Sequence, residues 1–232
     1  MTRRALLLDA GNTVIYLDHD AVAAAVGGET VTGARLRDAE APAKQRYEAE
    51  LAAGLGHDDG WYVFMRCLLT EAGVEENHDA LVRRARAAHD ALNLWRRVPP
   101  ELPAALARVR DAGWALGIVS NSEGRLPETF AAVGLADAFE VIVDSHVLGI
   151  SKPDPRIFEA ALTQLGADAG ASLYAGDIPA VDVEGARSAG LAGALIDTGR
   201  HYPNYDAAPR YEATATLIED LLEGRFEWAR AR

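Results

Sequence analysis

Ala5-Leu6-Leu7-Leu8-Asp9-Ala10-Gly11-Asn12-Thr13 opens on four apolar residues in a row and stops at a carboxylate. A short continuous apolar run, ended by a polar stretch with a glycine, reads as a strand buried on both faces, and such burial belongs to parallel sheets. The pattern recurs downstream. Ala115-Leu116-Gly117-Ile118-Val119 ends at Ser120-Asn121, Val141-Ile142-Val143 follows, Ser172-Leu173-Tyr174-Ala175 ends at Gly176-Asp177, and Gly193 to Ile196 closes the series. Helical stretches lie between them, over about 102–112, 126–133, 155–165 and 181–189. Strands alternating with helices predict an α/β fold, a doubly wound and mostly parallel sheet covered on both faces.

The stretch from 18 to 97 has a different character. It is rich in alanine, arginine and glutamate, and its apolar residues recur at helical spacing, most clearly from Trp61 to Leu69 between Gly60 and Gly73 and again over about 79–92. No strand-like alternation shows there, so it reads as an all-helical insertion into a core made of 1–17 and 98–232, with Pro99-Pro100 marking the return. Trp61, Phe64 and Leu68 read as the insertion's own core, and Arg83-Arg84-Ala85-Arg86 as a solvated helix face. The polar stretch from Gly54 to Gly60 reads as a loop between helices, with His57, Asp58 and Asp59 as candidates for substrate selection.

Composition narrows the function classes. A formal charge of -12 and a pI near 4.9 repel a polyphosphate backbone, so nucleic acid is not an expected partner. A small phosphorylated substrate needs only local positive charge. Cys67 is the single cysteine, which fits a reducing compartment. The apolar run after Arg3-Arg4 is four residues long and no 18-residue apolar stretch occurs, so neither a secretory signal nor a membrane span is expected, and the reading is cytoplasmic. No feature specifies an oligomeric state. The six histidines show no metal spacing, and His57, His78 and His89 read as surface or partly buried.

Four segments sit just after strands, where open α/β sheets place their ligands. They are Asp9-Ala10-Gly11-Asn12-Thr13, then Ser120-Asn121, then Lys152 in Gly149-Ile150-Ser151-Lys152-Pro153-Asp154-Pro155, and finally Gly176-Asp177 with Asp182 five residues on. Together they offer two or three carboxylates, a hydroxyl and an ammonium, a set able to hold one hard divalent cation and one anion. Each alone reads as ordinary structure: a capping carboxylate, a helix N-cap, a solvated aspartate, a turn. Thr13 reads as holding its loop by hydrogen bonding.

In this order and at these separations the four segments resemble the signature of the haloacid dehalogenase superfamily, and the resemblance covers nearly the whole chain, including a helical cap inserted after the first strand. It implies hydrolysis of a small phosphorylated metabolite through an aspartyl-phosphate on Asp9. Ser120 and the Asn121 amide would hold the phosphoryl oxygens, and Lys152 would neutralise nucleophile and phosphate together. Magnesium would be held by Asp9, the backbone carbonyl of Gly11 and Asp177, with Asp182 a further ligand or a support.

One position departs from that pattern. Phosphatases of the family carry a second aspartate two residues after the nucleophile, which protonates the leaving oxygen and then activates water. Here it is Gly11, and the glycine that normally follows is Asn12. Three readings stay open: a phosphatase that uses another acid or needs good leaving groups, a metal-independent 2-haloacid dehalogenase, or a phosphate-ligand binding protein with weak turnover. Dehalogenases of the family also lack the second aspartate, but they carry a bulky aromatic residue there and lack the Gly-Asp pair that this chain keeps at Gly176-Asp177.

Overall fold

The computed structural model describes residues 3–27, 31–54, 57–75 and 77–231. β1 (Ala5–Leu8) is buried along its whole length, as an apolar run with neighbours on both sides must be. The chain then leaves through β2 (Tyr16–Leu17) into four helices, α1 (His19–Val26), α2 (Gly33–Ala52), α3 (His57–Glu71) and α4 (His78–Ala91), and returns through β3 (Trp95–Arg97), which pairs with β2. An alternating succession follows: α5 (Leu102–Asp111), β4 (Ala115–Ser120), α6 (Leu126–Ala132), β5 (Val141–Asp144), α7 (Ser145–Leu148), α8 (Pro155–Leu165), β6 (Leu173–Gly176), α9 (Glu184–Ser188), β7 (Ala192–Ile196), β8 (Arg210–Tyr211), α10 (Thr214–Leu222) and α11 (Trp228–Ala231).

Strand order in the main sheet is β5-β4-β1-β6-β7-β8, and every pairing in it is parallel. Leu8 lies opposite Ile118 on one side and Ala175 on the other. The register therefore brings the residues that follow β1, β4 and β6 to one edge, the carboxyl end where parallel sheets open a crevice.

Two compact units result, residues 1–16 with 97–232, and residues 17–96. In the first, α8 shows how the covering helices are specified. Asp154 caps it by accepting from the Arg156 amide, Pro155 stands at its first turn, and Gly166 ends it in the left-handed conformation at φ 62°. It buries Ile157, Phe158, Ala161, Leu162 and Leu165 against β1, β4 and β6. Each large side chain so buried contributes about 1.5–3 kcal/mol. The second unit has its own core, with Leu36, Phe64, Met65, Leu68 and Val82 buried and Trp61 packed against them.

Four expectations are corrected. The 18–97 stretch is not all helix: Trp95–Arg97 is extended, with the Trp95 amide held by Asn93 and the Leu94 carbonyl accepting from Asp18, a pairing too short for any alternation to show. The helix read at 181–189 begins instead as a wider π turn over Pro179–Val183, in which the Glu184 amide reaches back to the Pro179 carbonyl. Its cause is Asp182, which turns inward to be buried and accepts from the Ile178 amide at 2.9 Å. The stretch read as a loop from Gly54 to Gly60 is already helix at His57. Leu55 and Gly56, and the side chains of His57, Asp58 and Asp59, lie outside the described residues. His89 is buried rather than partly exposed, its Nδ1 accepting from the Leu94 amide.

Candidate active site

Asp9 leaves β1 with its amide donating to the Ala175 carbonyl, so the first carboxylate is tied to β6 by backbone alone. The loop then coils on itself. Val14 and Ile15 donate to Ala10, and Asn12, in the left-handed region at φ 56°, donates its amide to Ile15. Thr13 is fully buried, but its hydroxyl holds nothing. Thr13 holds the loop by hydrogen bonding through its main-chain carbonyl, which accepts from Thr214 Oγ1 at 2.7 Å.

Lys152 sits at the centre. Its Nζ donates to Asp9 Oδ1 at 2.7 Å, to Asp182 Oδ1 at 2.7 Å and to the Tyr174 hydroxyl at 2.8 Å, and all four residues are buried. Asn121 places it: the Lys152 amide donates to Asn121 Oδ1 at 2.8 Å while Asn121 Nδ2 donates to the Lys152 carbonyl at 3.0 Å. This reciprocal clamp joins the end of β4 to the loop before α8. Ser120, the last residue of β4, is buried beside it. Asp144, at the end of β5, fastens the loop after β4 by accepting from the Gly124 amide and caps α7 by accepting from the His146 amide.

Asp177 follows β6 and is buried, accepting from Asn12 Nδ2 at 3.3 Å. One carboxylate oxygen from each of Asp9, Asp177 and Asp182 falls within 4.8 Å of the others. Three carboxylates and one ammonium share this site, a formal charge of -2. The Asp9 carboxyl is held up at about 6: burial raises it most, Lys152 pulls it down, and Asp182 and Asp177 push it up. Burial works to lower the Lys152 pKa, and Asp182 with Asp9 overcomes this and holds the ammonium charged above its ordinary range. The sequence-predicted residues Asp9, Lys152, Asp177 and Asp182 thus converge in space, with Ser120 and Asn121 on the adjoining strand end and Gly11 in the loop between.

Two participants were not legible as such. Tyr174 stands in an apolar strand run and reads as core; only its hydroxyl reveals it. The Asn121 side chain reads as a helix cap, whereas it clamps a loop 31 residues away.

A family model described as haloacid dehalogenase-like hydrolase matches residues 4–190. A phosphoserine phosphatase of Thermus thermophilus is 36% identical over 139 residues, which are 59% of this chain and 56% of that protein. Haloacid dehalogenase-like hydrolase domain-containing protein 3 of Bos taurus is 29% identical over 210 residues, 83% of this chain and 81% of that one. Among solved structures, the L-2-haloacid dehalogenase RSc1362 superposes with a TM-score of 0.64 at 20% identity, over 96% of this chain and 100% of that chain, a likeness of fold. With the sheet order, the converging carboxylates and lysine, and a family model spanning most of its length, the chain belongs to the haloacid dehalogenase-like hydrolases.

Proposed function

We propose that this hydrolase is a magnesium-dependent phosphohydrolase acting on a small phosphorylated metabolite through an aspartyl-phosphate at Asp9. The observation that carries it is the buried set Asp9, Asp177 and Asp182 with Lys152 as the only ammonium among them. Three carboxylates so close repel one another, and the excess charge of -2 calls for a divalent cation. All the donors are hard oxygens, which suits magnesium. Asp9, Asp177 and the Gly11 carbonyl would hold it. Asp182 is committed elsewhere, with Oδ1 on Lys152 and Tyr174 and Oδ2 on the Ile178 amide, which favours a support role for it. A bound magnesium would supply charge neutralisation for the phosphoryl oxygens.

Lys152 occupies Asp9 Oδ1, so Oδ2 is the oxygen that attacks phosphorus. The bond from phosphorus to the leaving oxygen breaks, and water then releases phosphate and restores Asp9. Ser120 and the Asn121 amide hold the phosphoryl oxygens, while Lys152 shares its charge between nucleophile and phosphate. The helical unit 17–96 is the candidate cap that closes over substrate and excludes water. The phosphatase relative supports the phosphoryl reading; the dehalogenase likeness is of fold alone.

The test is turnover of phosphorylated metabolites, with an aryl phosphate and 2-chloropropionate as controls, each with magnesium and with EDTA. Phosphate release that EDTA abolishes is the expected result. Gly11 favours a second reading, a metal-independent dehalogenase, because halide departure needs no acid. Full activity in EDTA together with chloride release would establish that reading instead. Vanadate binding without turnover would mark a ligand-binding protein.

A further inference from the structure

Tyr174 lies outside the four segments that identify the family, yet its hydroxyl touches two of them and lies beside the residue that precedes a third. It accepts from Lys152 Nζ at 2.8 Å and lies 3.0 Å from Asp182 Oδ1 and 3.0 Å from the carbonyl of Val119, the residue before Ser120. The ring is fully buried, packed edge-on against Phe158 at 4.9 Å, and its centroid is 5.4 Å from Nζ. A phenylalanine would fill that space; the hydroxyl is the additional feature to be explained.

An ammonium has three N–H donors and no acceptor. Here they point to Asp9, Asp182 and Tyr174. The phenol has one proton for two acceptors, and a carboxylate is the stronger acceptor than a strand carbonyl, so that proton goes to Asp182. Lys152 then donates to Tyr174, Tyr174 to Asp182, and Lys152 to Asp182 again, a closed triangle. A flexible four-carbon side chain is thereby fixed in torsion as well as in place. We propose that Tyr174 is a positioning residue: it sets the rotation of the Lys152 ammonium so that one N–H stays on Asp9 Oδ1, and it links that ammonium to Asp182. The proposal rests on the reading of Asp9 and Lys152 as the reacting pair.

The experiment uses Tyr174→Phe, Lys152→Met and the double variant of the full chain, with magnesium. Misplacement on the order of an ångström costs up to about 10²-fold in rate. Tyr174→Phe should therefore lower kcat on an aryl phosphate by about tenfold or more, with KM changed by less than about threefold. Orthovanadate binding, read as a thermal shift, should weaken in Tyr174→Phe and weaken no further when Lys152→Met is already present. A kcat within about twofold of wild type, or an equal loss of vanadate binding in both backgrounds, overturns the proposal. Should Tyr174→Phe not fold, 4-aminophenylalanine at 174 keeps a donor to Asp182 but is a poor acceptor from an ammonium, and the same kcat loss is expected; unchanged kcat there overturns it. A wild type that neither turns over phosphate esters nor binds vanadate sinks the phosphohydrolase reading instead. Tyr174 is then judged by melting: a Tm fall with Lys152 present that vanishes with Lys152→Met supports positioning, and equal falls in both backgrounds overturn it.

Discussion

At position 176 a single methyl group would disturb the whole site. A Cβ there would stand 2.3 Å from Asp182 Cγ and 2.6 Å from its Oδ2, inside any real contact distance. Asp182 would have to leave Lys152. Gly176→Ala is expected to cost about 1–3 kcal/mol, the usual penalty for overpacking, and to lower turnover by more than tenfold; urea melts and steady-state rates check both. Asp9→Asn should abolish turnover in a folded protein, since an amide keeps the shape but not the nucleophile; more than a few per cent residual activity would unseat Asp9. At Gly11 the expectation concerns a ratio. A positioned acid contributes about 10²–10⁴-fold, so wild type should cleave aryl phosphates far faster than alkyl phosphates, and Gly11→Asp should narrow the gap. Gly11 is not among the positive-φ glycines of the described residues, so a side chain there does not meet a left-handed backbone. A wild type fast on alkyl phosphates would show that another group supplies the proton. Asp9 and Asp177 were legible because each directly follows a strand; Asp182, six residues past β6, and Lys152, eight residues past β5 and beyond α7, were legible through their order and separation from the other segments. Tyr174 was not, because burial and catalysis ask for the same strand residue and only the hydroxyl's neighbours tell them apart.

Elements meet at the clamp between β4 and the loop before α8. Removing the Asn121 side chain leaves the Lys152 amide and carbonyl without their partners. Asn121→Ala should cost about 1–3 kcal/mol by denaturant titration, and kcat should fall because the lysine loses its register; an unchanged kcat would mean that the triangle around Nζ suffices without the clamp. The core strands and the helices over 102–111 and 155–165 could be read in advance because apolar runs and helical spacing are long enough there to declare a period. β3 and β8, of three and two residues, are shorter than any period and exist only through their partners. The π turn at Pro179–Val183 was hidden for another reason: propensity favours plain helix, and a tertiary demand, the burial of Asp182, overrides it.

Two cores within one chain mean that damage can be local. Leu68 is fully buried among the helices of 17–96, and Leu68→Ala should cost that unit about 2–5 kcal/mol. Amide exchange should quicken in α2, α3 and α4 while β1, β4 and β6 keep their protection; a uniform rise across both units would show that they unfold as one. No described helix is long and apolar enough to cross a membrane. The sheet's order also sets a schedule for synthesis. β1 is central, yet Ala5 waits for Ala115 and Leu6 for Leu173. At about 5–20 residues per second, the strand that carries Asp9 spends roughly 10–30 s outside the ribosome before both its neighbours exist. During that interval Ala5–Leu8 is an apolar segment with two bare edges, a state that invites pairing with other chains. The helical unit of 17–96 emerges within this gap. Slowing elongation should therefore raise the aggregated fraction of newly made protein, while refolding of the complete chain, which has every partner at hand from the start, is spared that wait.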